Sequence, residues 1–174
     1  IMPGLKSLLN AVLSADLWQM KCVGMQVIAE SLAMGSFKMM KEGTHDELLR
    51  KIVELTAQDE ARHVSYGLIY MKEELPRMDA AKRDEVEDFA LAGVSLLASP
   101  ESQRQNGSPM FAIFEELGID LKRAAVELQE RFSDPEVRKS MPNPFRDYVY
   151  PQLKRINLIT DRTADAYEEM GIAS

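Results

Sequence analysis

The chain is short of the residues that build most chemical sites. Among 174 residues it has one cysteine, Cys22, and two histidines, His45 and His63. A lone cysteine cannot close an internal disulfide and no secretory leader is visible, so a reducing, cytoplasmic setting is expected. No apolar run approaches the roughly 18 residues that a membrane span needs, so no membrane partner is expected. Basic residues are outnumbered, 21 Lys and Arg against 28 Asp and Glu, and the sequence pI is near 5.0. With no basic stripe, a nucleic-acid partner is not expected either. There is no glycine-rich phosphate loop, no nucleophile elbow, no Cys-x-x-Cys and no fixed-period repeat. Strand signals are missing too, since Asn106-Gly107 sits in a polar stretch rather than between alternating strands.

What is present is helical. Apolar residues make up 45% and charged residues 28%, enough for a core in one domain with an appendage. Periodicity predicts a short amphipathic helix over 5–14 and a long one from Asp16 to about Met40, stopped by Gly43. Thr44 and Glu47 have capping-box spacing and open a helix running to about Leu75, where Pro76 closes it. The tight turn makes the two long helices antiparallel neighbours. A third helix covers 79–98, and its acidic run Asp84, Glu85, Glu87, Asp88 reads as a solvated face. A polar loop follows over 99–109, then helices over about 110–117 and 120–132, 145–157 and 161–170. The eleven methionines are expected as core filler and Cys22 as a buried small hydrophobe.

The two long helices carry polar groups on their apolar stripes. The first stripe is Met20, Val23, Val27, Glu30, Met34, Phe37; the second is Leu49, Val53, Thr56, Glu60, His63, Gly67, Tyr70. Burying a carboxylate is costly unless it is paired or binds a metal. Counting from Thr44, Glu30 and Glu60 differ in height by about 3 Å, with His63 about 4.5 Å beyond Glu60. Glu60 and His63 share a helix face. Two carboxylates and an imidazole suit iron or manganese. Glu-x-x-His alone is weak, because 17 Glu give each histidine about one chance in ten of such a neighbour. Its mid-helix position and the Glu at matching height give it weight. Asp59 is placed to orient a histidine. The bland readings are a satisfied core histidine for His63, pairing with Arg62 or Lys38 for Glu30, an exposed charge for Asp59 and packing for Tyr66 and Tyr70. His45 reads as a solvated turn residue.

The segments WQMKCVGMQVIAESLAMGSF (18–37) and AQDEARHVSYG (57–67) resemble the second half of ferritin-like di-iron carboxylate proteins, in particular the bacterial oxidase and oxygenase relatives. The tail PQLKRINLITDRTADAYEEMGI (151–172) is similar to the end of such proteins. The resemblance implies an all-α ferritin-like bundle, with half of a four-helix bundle in 1–75 and a C-terminal helical extension in 76–174 packed on it as one structural domain. It implies Glu30 as a bridging ligand, Glu60 and His63 as further ligands and Asp59 behind them, with two iron ions, or manganese, as cofactor. It implies dioxygen and a small organic molecule as substrates of an oxidoreductase.

One departure stands out. The family's other Glu and other Glu-x-x-His are missing, because Glu42 and His45 straddle the Gly43 turn. Completion is expected from two further N-terminal helices, in keeping with a chain that does not open on methionine unless Met2 is the start. Otherwise it is expected from a second copy in a homodimer, or the site is degenerate. The alternative functions are iron oxidation for storage and a helical interaction module with a vestigial metal site.

Overall fold

Proline at the first helical position gives up an N–H that no helix uses there, and Pro3 opens the chain in this way. The computed structural model describes residues 2–99 and 142–173 and, between them, only 116–118, 120, 123, 126, 127 and 130. Helix α1 spans Pro3–Ser14. A continuous helical path then runs through α2 (Trp18–Cys22), a π-helical stretch π1 (Val23–Ala29) and α3 (Glu30–Gly43). Helix α4 (Glu47–Glu74) returns, and a 3₁₀ turn at Leu75–Arg77 containing Pro76 ends it as expected. Helix α5 (Ala80–Ala98) follows. The C-terminal part holds π2 (Phe145–Val149), α6 (Tyr150–Arg155) and α7 (Ala164–Glu169). No strand occurs among the described residues, so the all-α expectation holds. None of the described helices is long and apolar enough to cross a membrane. The expected loop over 99–109 and helices over 110–117 and 120–132 lie, apart from single positions, outside the described residues.

Two compact units are present, Ile1–Gln103 with Asn143–Ser174, and Arg104–Pro142. The segments 76–103 and 143–174 thus share a unit with residues 1–75. In the second unit, Asp120 accepts the Arg123 amide at 3.1 Å and Arg123 pairs with Glu127 one turn on. The core of the first unit joins Leu8 and Val12 of α1, Val23, Val27 and Ile28 of π1, Met71 of α4, Val86, Ala90 and Val94 of α5, and Leu153, Leu158 and Tyr167 of the tail.

Three expectations need correction. The cap of α4 is Asp46, not Thr44. Asp46 Oδ1 accepts the amides of Leu48 and Leu49 at 2.8 and 3.1 Å, and Thr44 Oγ1 instead accepts the Asp46 amide. A carboxylate one residue before the first turn completes the orphan amides better than a hydroxyl three residues before it. The inner face of α4 is also turned somewhat from the expected stripe, which placed Val53 and Gly67 correctly but not its other members. Val53, Val64, Gly67 and Met71 are buried, while Leu49, His63 and Tyr70 are exposed.

Finally, Glu87 is not solvated. It is 1% exposed on the buried face of α5, beside Val86 and Ala90. Its Oε1 accepts from the Thr160 amide (2.8 Å), Thr160 Oγ1 (2.7 Å) and Thr163 Oγ1 (2.6 Å), and its Oε2 from Arg162 (3.2 Å). Arg162 also reaches Asp88 at 3.0 Å. This carboxylate clamps the tail to α5. Burial works to raise its pKa, but the hydrogen bonds from Thr163, Thr160 and Arg162 outweigh burial and hold it below the ordinary glutamate value. A depressed native pKa stabilises the fold above the unfolded value of about 4.3, and that contribution is lost as pH falls through the native value. Glu87→Ala is expected to cost about 2–3 kcal/mol in denaturant unfolding, because it leaves the Thr160 and Thr163 donors without their acceptor. Glu87→Gln is expected to flatten the acid limb of stability against pH. Wild-type stability in Glu87→Ala would show the clamp to be idle.

Candidate metal centre

Glu30 is the first residue of α3, directly after the last residue of π1. Glu60 and His63 lie one turn apart near the middle of α4. The antiparallel hairpin brings the three together. His63 Nδ1 is 3.6 Å from Glu30 Oε1 and 3.4 Å from Glu60 Oε2, and one ligand atom from each of the three lies within 4.8 Å of the others. The height matching expected from helical rise is therefore met in the folded chain. Burial is graded across the cluster. The side chain of Glu30 is 16% exposed, Glu60 25% and His63 60%, so the imidazole stands at the open edge rather than on the buried face.

The electrostatics centre on Glu30. Its Oε2 is buried and accepts no hydrogen bond. Burial raises its pKa first and the neighbouring Glu60 charge adds to this, with His63 pulling the other way. A buried acceptor without a donor, beside a second carboxylate, is short of positive charge. Arg62, next to His63 in the chain, pairs with Asp59 instead. Asp59 is exposed in that pair and is not among the groups brought together. Lys38 makes its influence felt on Asp147. His45 is an exposed turn residue, as expected.

The seam beside the triad is close. A Cβ on Gly67, one turn beyond His63, would stand 2.6 Å from the Gln26 Cβ, one turn before Glu30. Glycine at 67 thus lets α4 approach π1 next to the site. Neither π1 nor this contact was legible from periodicity. π-Helical turns are frequent at functional sites, and this one delivers Glu30. Beyond the seam lies an open groove of about 600 Å³ lined by Trp18, Cys22, Met25, Gln26, Tyr66 and Tyr70, with Lys21, Glu73 and Arg77 among the charged groups around it. The Tyr66 and Tyr70 rings are 4.4 Å apart and tilted against one another. Burial, with the Glu30 charge adding to it, pushes the Cys22 thiol up to about 11, so this cysteine is a protonated wall and not a nucleophile.

Comparison with family models, curated proteins and solved structures gives no match. Two carboxylates and one imidazole with an open side make an incomplete ligand set, one that suits iron(II) or manganese(II). Glu60→Ala or His63→Ala is expected to weaken binding of either ion by about 100-fold or more, beyond the usual effect of losing an outer partner. Helical circular dichroism should be unchanged. Elemental analysis after equilibrium dialysis checks this, and full occupancy in either variant would remove that residue from the ligand set.

Proposed function

We propose that the chain is a ferritin-like, metal-dependent oxidoreductase that reduces dioxygen while oxidising a small organic molecule. Glu30, Glu60 and His63 are its share of an iron site, with manganese the other ion the set would accept. The observation that carries the proposal is the convergence of the triad around a buried Glu30 oxygen that no protein donor meets. Iron held there would supply the electrons that dioxygen takes up.

The chain's own groups have separable tasks. Glu30, fixed at the end of π1, holds one side of the cation from the least solvated position. Glu60 and His63 approach from α4 on one helix face. The apolar groove along Cys22, Met25 and Tyr66 begins one turn away and offers an organic substrate a place sheltered from water on one side. Loss of either partner of Glu30 leaves two carboxylates or a carboxylate and an imidazole, too few to hold an ion against solvent.

The test is oxygen uptake. Protein freed of metal with a chelator is loaded with iron(II) without air and then exposed to oxygen in an electrode cell. Uptake faster than the same iron in buffer, lost in His63→Ala, is expected. Uptake equal to that of free iron, or unchanged in the variant, contradicts the proposal. Retention of iron far above two ions per site would point to storage instead.

A further inference from the structure

Helix α4 carries a second stripe, on the side turned away from its buried face. Leu48, Ile52, Leu55, Tyr66 and Ile69 are each 50–70% exposed, and Asp59 and Arg62 fill the gap in the run with side chains 65% and 72% exposed. The steps are 4, 3, 4, 3, 4 and 3 residues, the spacing of a coiled-coil seam. Exposed apolar seams of this regularity mark helix-packing surfaces.

From Ile52 to Ile69 the seam reads alike in both directions, with Leu48 outside the symmetric run and Glu73 at its mirror position. About a midpoint between Glu60 and Ala61, Leu55 mirrors Tyr66, Ile52 mirrors Ile69, and Asp59 mirrors Arg62. A parallel pairing of two such helices would set Asp59 against Asp59 and Arg62 against Arg62. An antiparallel pairing sets each acid on a base. Polar residues inside an apolar seam are what fixes register and direction. We propose that a second copy of this chain docks antiparallel along the Ile52–Ile69 seam, with Asp59 of each copy on the partner subunit's Arg62. Each seam then covers its equal, and the two intrachain Asp59–Arg62 pairs merge into a ring of four charges.

The pairing has a consequence for the triad, and this consequence rests on the metal reading above. Glu60 lies half a residue from the midpoint, so the Glu60 side chains of the two copies would differ in height by about 1.5 Å and the His63 side chains by about 7.5 Å. His63 flanks the seam on the same edge in both copies. The two triads, each of two carboxylates and one imidazole, then stand at nearly one height on the same edge of the pair, each still within its own hairpin.

Sedimentation equilibrium in chelator-treated buffer reads the pairing without any metal. A dimer is expected. Asp59→Arg and Arg62→Asp should each raise the dimer dissociation constant by at least about 100-fold through like charges in the seam. Mixing the two variants should restore a dimer, because each new charge then meets its opposite. A monomeric wild type, its seam left for some other helix pair, overturns the proposal, as do variants that dimerise alone or fail to rescue one another. A dimer that takes up no iron or manganese in dialysis supports the pairing and overturns the metal reading alone.

Discussion

A carboxylate oxygen taken out of water needs donors or a cation, and among the described residues Glu87 and Glu30 meet that need with opposite outcomes. Glu87 is met on both oxygens by Thr160, Thr163 and Arg162. Glu30 keeps one buried oxygen with no donor, faces a second carboxylate and has only an imidazole nearby. The first carboxylate is finished as a structural clamp by its own chain. The second is left asking for positive charge, and the candidate function follows from that deficit.

The hairpin keeps this deficit in place. Asp46 caps α4 and fixes where it starts relative to α3. From that start, helical rise sets Glu60 and His63 opposite Glu30. The π-helical turn at Val23–Ala29 and the glycine at 67 then set how the two helices meet beside the site. The His63 side chain is 60% exposed, so the triad lies at an open edge with room for more ligands. The open edge and the incomplete ligand set are two aspects of one geometry.

Much of this was legible in the sequence for physical reasons. Helix lengths followed from 3.6-residue periodicity and from Gly43 and Pro76, and the convergence of Glu30, Glu60 and His63 followed from helical rise across a short turn. What failed was finer. The expected stripe placed Val53 and Gly67 on the buried face correctly, but it missed Val64 and Met71 and included the exposed Leu49, His63 and Tyr70, a small rotation that i+3 and i+4 spacing cannot resolve. Asp59 looked placed to orient a histidine, but its i+3 neighbour Arg62 claims it. Glu87 was masked by Asp84, Glu85 and Asp88 around it. Yet it shares a face with Ala90, Val94 and Leu97, and the test applied to Glu30 would have found it. The π turn has no sequence signal, because it changes hydrogen bonding without changing composition.

The chain contains only two imidazoles, and 18 residues separate His45 in the turn from His63, about 27 Å of helix. Manganese(II) is paramagnetic and broadens the resonances of nuclei near it. Chelator-treated protein labelled at the imidazole nitrogens, titrated with a fraction of an equivalent of manganese(II), therefore reports directly on whether a cation sits between Glu30, Glu60 and His63. Selective loss of the His63 signals, with those of His45 unchanged, is the predicted result. Equal broadening of both, or of neither, contradicts the account.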